Sequence, residues 1–362
     1  MAATITDDST YLNKPVNSVF QQTFLRRSQQ TCPYFTGTQP GTLTKQAGTS
    51  TVKWRRIEQL APSTTALSEL TGAASFMMGR SSVTPTFTDV VATVSKYGQF
   101  YIVNEEVDLY NPNGTANELV GTLGESAGRS LNELMRNIAE GSTTQRFAAN
   151  VASLGAVHAK VAVGDLARSI NELSNSSART FTALTGGSTN IGSVPILSSY
   201  WAFCHPDVAY DVTTLTGFQG VNTYNTQVQT APGEFGYMPG AGRGLRFIQS
   251  EDASRTANAG AALSAADLNS TGGSKADTYA IVVLGQDALG SVGLGMRHTD
   301  GTYMAGDNTG GWELINHPRG SGGVSDPFNE IATVAYKCFF AGAVLNSNWA
   351  RAINVAATNL TN

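Results

Sequence analysis

The chain has 362 residues, 41% of them hydrophobic, which is enough for a sizeable core and for two or three compact units. Only 14% are charged, against roughly 25% in typical globular proteins, and the net charge is −4. There is no run of lysines or arginines long enough to make a nucleic-acid stripe, which argues against sequence-specific DNA binding, and a surface so poor in charge suits either one that neighbours cover or a secreted β-protein.

Cys32, Cys204 and Cys338 are far apart, odd in number and form no C-x-x-C pair, so they read as reduced, mostly buried thiols. The start, MAATITDDST, has neither a basic region nor an apolar core, so no cleaved signal is expected. The longest apolar run, Tyr279–Leu284, falls far short of a membrane span.

Residues 1–50 read as an extended arm, rich in Thr and Gln and punctuated by Pro15, Pro33 and Pro40. A short helix is expected at Val16–Ser28, with Val16, Val19, Phe20 and Phe24 on one face and Pro15 at its start. The rest of the arm has too little apolar content to hold itself in place, so it reads either as disordered or as docked onto another part of the protein or another copy, and residues 1–15 are expected to order only against a neighbour. Residues 50–60 alternate, with Val52 and Trp54 on one side and Lys53 and Arg55 on the other, which predicts a strand. A second extended stretch runs over Phe87–Asn104. The segment between them is too long for a tight hairpin, so the pair reads as a ribbon carrying a long loop. A two-stranded ribbon is marginal in water and needs a partner surface.

Thr115–Glu140 predicts one long amphipathic helix, a rod on the order of 38 Å. Val120, Leu123, Ala127, Leu131, Leu134 and Ile138 share a stripe, with Glu125, Arg129, Asn132, Glu133 and Arg136 largely opposite. Asn113-Gly114 supplies a turn, and Thr115 with Glu118 a capping box. Gly121, Gly124 and Gly128 interrupt the rod, either as tolerated surface glycines or as points where another backbone comes close. A second helix is expected over Val157–Leu173, with Leu166, Ile170 and Leu173 inward. Gly186-Gly187 separates it from a buried strand, Ser198–Cys204, and Pro206 and Asp207 then open a helix. Residues 217–275 are loop-rich with a short strand at Leu245–Ser250. Tyr279–Leu284 is a buried strand, Asp300-Gly301 marks a hairpin turn, and Ile331–Leu345 is a strong β run. Trp349 to Val355 either continues that strand or forms a final turn.

Few residues suggest chemistry. His205-Pro206-Asp207 reads as a helix start rather than a catalytic or metal site. His158, His205, His298 and His317 are scattered, with no ligand spacing, so no metal or cofactor is expected. The run GAGRG from Gly240 lacks the Lys-Ser/Thr of a phosphate loop and precedes a strand. Glu105, Glu106 and Asp108 read as a solvated face or a partner for arginines. Nothing points to an enzyme.

Taken in order, these pieces resemble the major capsid proteins of tailed phages with the Hong Kong 97-like fold, and more narrowly the N-four-like (Enquatrovirus-type) family. The matching pieces are VFQQTFLRRSQQ, Lys53-Trp54-Arg55-Arg56 with Leu60-Ala61-Pro62, Val94-Ser95-Lys96-Tyr97-Gly98 and the long helix. Further on they are His205-Pro206-Asp207 through Asp211, Pro232-Gly233-Glu234, Arg246-Phe247, Val283 to Ala288, Asp326-Pro327, Tyr336-Lys337 and Trp349. Two departures stand out. Ser68-Glu69-Leu70 replaces a usual Glu-Gly, and Asn132 stands where Asp is common, which the resemblance reads as a change in a surface pairing.

The resemblance implies an α+β fold with an N-terminal arm (1–49), an extended loop (50–104) and a spine helix with peripheral domain (105–194). An axial domain (195–320) and a return to the peripheral domain (321–362) complete it. It also implies copies forming pentamers and hexamers of an icosahedral shell around double-stranded DNA, with scaffold, portal and decoration proteins as partners. The protein would then sit in the virion after assembly in the host cytoplasm, away from membranes. In that family the extended loop lies over a neighbour's spine helix. Lys53, Trp54, Arg55 and Arg56 are therefore the expected inter-subunit contacts on the loop, with Glu105, Glu106, Glu118 and Glu125 as the acids that meet them. Two rivals are an encapsulin-like cargo compartment, which would share the fold, and a secreted β-rich adhesin or hydrolase, which the absent signal and nucleophile disfavour.

Overall fold

The computed structural model describes residues 33–41, 49–58, 60–64, 84–110, 115–141, 143–184, 196–223, 233–263, 267–294, 312–320 and 326–360. The expected helix at Val16–Ser28, the turn at Asn113-Gly114, the hairpin at Asp300-Gly301, Cys32, and the departure at Ser68-Glu69-Leu70 lie outside these residues. So do the side chains of the Thr115/Glu118 capping box.

The first described element decides between the two readings of the arm over residues 33–41. Pro33–Gly37 forms a 3-10 turn and Thr38–Pro40 a strand, β1. Two large apolar side chains in eight residues suffice to dock this strap on its own chain: Tyr34 is fully buried and Phe35 nearly so. The ribbon follows as β2 (Thr51–Ile57) and β3 (Phe87–Thr93), antiparallel, with Thr51 opposite Thr93 and Ile57 opposite Phe87. The expected single stretch to Asn104 breaks at Val94. Its second half, β4 (Ser95–Asn104), leaves the ribbon and pairs over its whole length with the C-terminal β run.

A short helix α1 (Glu105–Tyr110) leads to the long helix α2, Thr115–Gly141. Val120, Leu123, Ala127 and Leu131 are buried as their spacing predicts. Further along, Met135 and Ala139 are fully buried while Leu134 and Ile138 are half-buried. The arc widens because two surfaces flank this half of the rod. The N-terminal half packs on Tyr101, Leu314, Val334 and Tyr336, and the C-terminal half on Tyr34, Phe203, Leu284 and Phe340. Gly121, Gly124 and Gly128 are all buried, not surface glycines. Close approach is explicit at Gly342, where a Cβ would lie 2.8 Å from both Met135 Sδ and Ile138 Cδ1.

After α2 come β5 (Thr144–Phe147), α3 (Val163–Asn175), β6 (Ser199–Cys204) and α4 (Pro206–Thr213). The helix α3 starts later than expected. The stretch before it is extended and bridges at Lys160 to Ala356, so tertiary pairing overrides local helix propensity there. Next are β7 (Gln219–Gly220), β8 (Glu234–Pro239), β9 (Gly244–Gln249), β10 (Arg255–Thr256), β11 (Thr278–Leu284) and β12 (Leu289–Leu294). The described chain closes with β13 (Trp312–His317), β14 (Ile331–Val344) and β15 (Ala350–Val355). A 3-10 turn at Ser347–Trp349 separates β14 from β15, which joins a different sheet.

These strands make an α+β fold of two main sheets plus the ribbon. The five-stranded sheet has the order β1-β12-β14-β13, with β4 along β14. The eight-stranded sheet runs β5-β15-β11-β6-β9-β8-β7, with β10 on β11. In the larger sheet every residue of β6, β11 and β15 is buried, because helices cover both faces. Tyr279, Ile281 and Val283 face Leu166, Ile170 and Leu173 of α3 and Val208 and Val212 of α4, while Val282 and Leu284 face Leu131 and Met135 of α2 and Tyr34 of the strap. The rod thus joins both sheets.

Candidate inter-subunit surface

The ribbon's two faces differ in chemistry. Val52 and Trp54 point inward against Ala92, Val292 and Ala341, so Trp54 is part of the subunit's own packing. Lys53 and Arg55 point outward. Arg55 donates Nε to Asp89 Oδ1 at 2.8 Å and Nη2 to Asp89 Oδ2 at 3.1 Å, directly across the strand pair, and Lys53 lies 3.9 Å from the same carboxylate. Through that hydrogen bond and its charge, Arg55 holds the Asp89 carboxyl below its ordinary range. Arg56, on the inward face, donates to Glu58 Oε1 at 2.6 Å and to the Leu345 carbonyl at 3.0 Å. Thr88 donates to the same Glu58 oxygen.

Asp89 and Glu58 were missed by sequence reasoning. Asp89 is found by counting the register from the ribbon's ends, but the long intervening loop leaves that register open. Of the expected acids, Glu105 and Glu106 are exposed at the start of α1 and Glu125 is exposed on α2, while the side chain of Glu118 lies outside the described residues. Glu125 lines a groove of about 440 Å³ along the outer side of α2, together with Arg129, Glu133, Arg136, Glu251 and Asp252. Arg129 donates to Asp252 at 2.9 Å, and Arg136 to Glu133 at 2.8 Å. The ribbon's bases and this groove are thus two separate polar surfaces of one chain.

Asn132 behaves differently from the surface residue expected. It is fully buried beneath the groove. Its Oδ1 accepts from the Tyr34 backbone N–H at 3.2 Å, and its Nδ2 donates to Asp252 Oδ2 at 3.0 Å. The amide accepts on its oxygen and donates from its nitrogen, so Asn132 ties the strap to the loop after β9.

The ribbon pair yields a test. Arg55→Glu sets two acids opposite each other and should raise amide exchange across β2 and β3, and the swap Arg55→Glu/Asp89→Arg should restore it. Ribbon exchange that stays raised in the swap would mean that the cross-strand pair does not hold the register.

The His205-Pro206-Asp207 motif is a helix start, as its letters suggest. His205 Nδ1 accepts from the Asp207 N–H at 3.2 Å, and burial lowers the His205 pKa, which keeps that nitrogen free to accept. Asp207 Oδ2 accepts from Tyr279 Oη at 2.7 Å, while Asp211 accepts from the Thr358 N–H at 2.9 Å. The motif therefore pins α4 to β11 and to the last described residues. Nearby, Asp277 accepts from the Asn258 N–H at 2.8 Å and from Arg255 at 2.7 Å, and from Thr271 through both its N–H and its hydroxyl. Burial opposes ionisation, but the Asn258 N–H, the Arg255 guanidinium and Thr271 outweigh it and hold the carboxyl at about 2.

A depressed carboxyl stabilises the fold fully above its unfolded pKa of ~3.9 and loses that contribution as pH falls through the folded value. The loop around Arg255–Asp277 should keep its exchange protection at pH ~4 and lose it towards pH ~2. Titration of Asp277 near ~4 by carbon NMR would refute this.

Cys204 and Cys338 are buried and form no disulfide, and burial pushes the Cys204 thiol up to about 12, so it is inert. Among the described residues no group of three His, Cys, Asp or Glu side chains could hold a metal ion, and no helix is long and apolar enough to cross a membrane.

No protein-family model matches the chain, and no curated protein sequence does. Solved structures do share its fold. A chain of the capsid of Ralstonia phage GP4 superposes with a TM-score of 0.57 at 8% identity, covering 90% of this chain and 88% of that one. The cyanophage Pam1 capsid gives 0.53 at 11% identity over 86% of each chain. The head of Helicobacter pylori bacteriophage KHP40 gives 0.51 at 10% identity over 89% and 88%. The fold is one that phage capsids use, and at these identities the likeness is one of fold.

Proposed function

We propose that this chain is the major capsid protein of a tailed phage, a structural protein without catalytic function. The observation that carries this reading is the fold shared with three phage capsid chains over at least 86% of each chain. The finer reading follows the sequence resemblance: a Hong Kong 97-like subunit of the N-four-like type, divided into arm, extended loop, spine helix with peripheral domain, axial domain and C-terminal return. Copies form pentamers and hexamers of an icosahedral shell around double-stranded DNA, with scaffold and portal proteins as partners and a decoration protein as a further candidate. The protein then resides in the virion.

Exposed apolar side chains support a role in assembly. Ile57 (65% exposed) and Phe87 (52%) sit opposite each other on the ribbon's outer face, and Phe100 (62%) and Ile102 (59%) stand out from β4. Apolar groups clustered like this mark surfaces that partners cover. Expressed alone or with a scaffold, the protein should form capsomers or shells by sedimentation and negative-stain microscopy. A monomer at every concentration, with and without scaffold, would overturn the reading.

In this reading the outward face of the ribbon, with Lys53 and Arg55, meets acids of an adjacent copy, with Glu125 on α2 and Glu105 and Glu106 as the candidates. The charge swap at 55 and 89 separates the two roles of Arg55. Shell yield that stays low although ribbon exchange recovers supports a contact with the neighbour, and full recovery of shells assigns Arg55 to the ribbon alone.

A further inference from the structure

The strap Pro33–Gly41 touches more of the subunit than its length suggests. At its start the Tyr34 ring stacks on Phe203 with centroids 4.6 Å apart, and its N–H is held by Asn132. Phe35 packs on Phe340 of β14 at 5.5 Å. Thr38 bridges hydroxyl to hydroxyl with Ser291 at 2.7 Å, β1 runs parallel to β12, and the Gly41 N–H donates to the Ser291 carbonyl at 2.8 Å. The strap therefore occupies an edge of the five-stranded sheet that would otherwise present unpaired backbone groups.

Its last residue meets the ribbon. A Cβ on Gly41 would lie 2.5 Å from Trp54 Cζ2 and 2.8 Å from Val292 Cγ2, and one on Gly290 would lie 3.1 Å from the same indole. Trp54 thus rests on a floor made of the strap's end and β12, with room for no added carbon. The ribbon is also tied to the subunit body by Val52 on Ala341 and Val292, by Arg56 to the Leu345 carbonyl, and by β3 running through Val94 into β4 on β14. A two-stranded ribbon does not hold its own position, so what fixes its root decides its pose.

We infer that the strap and the ribbon are one coupled unit, in which the seating of Tyr34 against α2 sets how firmly Trp54, and with it the ribbon, is held. The coupling runs from Asn132 through Tyr34, β1 and Gly41 to Trp54, a continuous line of contacts. Whatever lifts the strap off α2 also frees the ribbon, and whatever pulls on the ribbon loosens the strap, since coupling is reciprocal. This inference concerns the single subunit and does not depend on the proposed function.

The test uses hydrogen exchange on the purified full chain. Asn132 contacts the strap and not the ribbon, so Asn132→Ala is the informative variant. Exchange should quicken about tenfold at Thr38–Gly41 and also at Thr51–Ile57 and Phe87–Thr93, while Thr278–Leu284 stays protected. A disulfide formed in Thr38→Cys/Ser291→Cys, whose hydroxyls already touch, should return ribbon exchange in the Asn132→Ala background towards the parent rate. Quickened exchange in the strap with an unchanged ribbon overturns the coupling, as does a disulfide that protects the strap alone. If Asn132→Ala does not fold, the oxidised and reduced forms of the cysteine variant decide: slower ribbon exchange on oxidation supports the coupling, and equal exchange overturns it.

Discussion

Replacing Arg246 by alanine should destabilise the subunit by about 3–5 kcal/mol, the range for removing one member of a buried ion pair. Arg246 and Glu234 are both almost wholly buried in adjacent strands of the larger sheet, and Arg246 Nη1 donates to Glu234 Oε1 at 3.2 Å. Removing the guanidinium takes from the buried Glu234 carboxylate its ion-pair partner. The pair itself adds little net stability, since taking both ions out of water costs about as much as their attraction returns. Glu234→Leu/Arg246→Met, which removes both charges and keeps much of the volume, should therefore lie close to the parent. Chemical denaturation of the three proteins checks this. A single variant within about 1 kcal/mol of the parent, or a double variant as unstable as the single, would show that the environment of Glu234 is wet or otherwise compensated.

Replacing Tyr34 by alanine should cost about 3–5 kcal/mol, the range for deleting a fully buried aromatic ring. The ring stacks on Phe203 and lies in the same cluster as Leu131, Met135, Val282 and Leu284, so its loss opens a cavity where the rod, the larger sheet and the strap meet. Truncation through Gly41 should cost at least as much. A denaturation midpoint unmoved in Tyr34→Ala would place the strap outside the subunit's core and return it to the arm. Here the sequence reading left disorder and docking both open, and the structure shows docking over residues 33–41. Composition averaged over residues 1–50 predicts an arm that cannot hold itself, and Tyr34 and Phe35 are too few to change that average. Two aromatic rings, with the backbone bonds of β1 and the Asn132 and Ser291 hydrogen bonds, nevertheless seat the strap in the core.

Other elements were legible for reasons particular to each. The long helix was readable because Val120, Leu123, Ala127 and Leu131 keep helical spacing over three turns. The strand at Thr278–Leu284 was readable because burial on both faces leaves an unbroken apolar run, Tyr279–Leu284. His205-Pro206-Asp207 was readable as a helix start because proline and a capping side chain act locally.

The candidate surface was only half legible. Lys53 and Arg55 were correctly set on one side of a strand, since alternation needs no partner. Their acid, Asp89, was not found, because a long stretch of sequence separates the two strands and register is a property of the pair. Asn132 was misplaced for a related reason. A helical wheel sorts side chains by angle, and it cannot foresee that the strap and the loop after β9 close over one polar position.

The sequence by itself determined the local elements: the rod, the buried strands, the alternating ribbon and the helix start at Pro206. These follow from periodicity, steric restriction and capping, which act within a few residues. Only the tertiary structure decided that β4 leaves the ribbon for β14, that β14 and β15 part into different sheets, and that the strap joins the core. Those outcomes depend on contacts between residues more than 50 positions apart along the chain, or on a turn as small as Ser347–Trp349, where burial gained against a distant surface outweighs local preference.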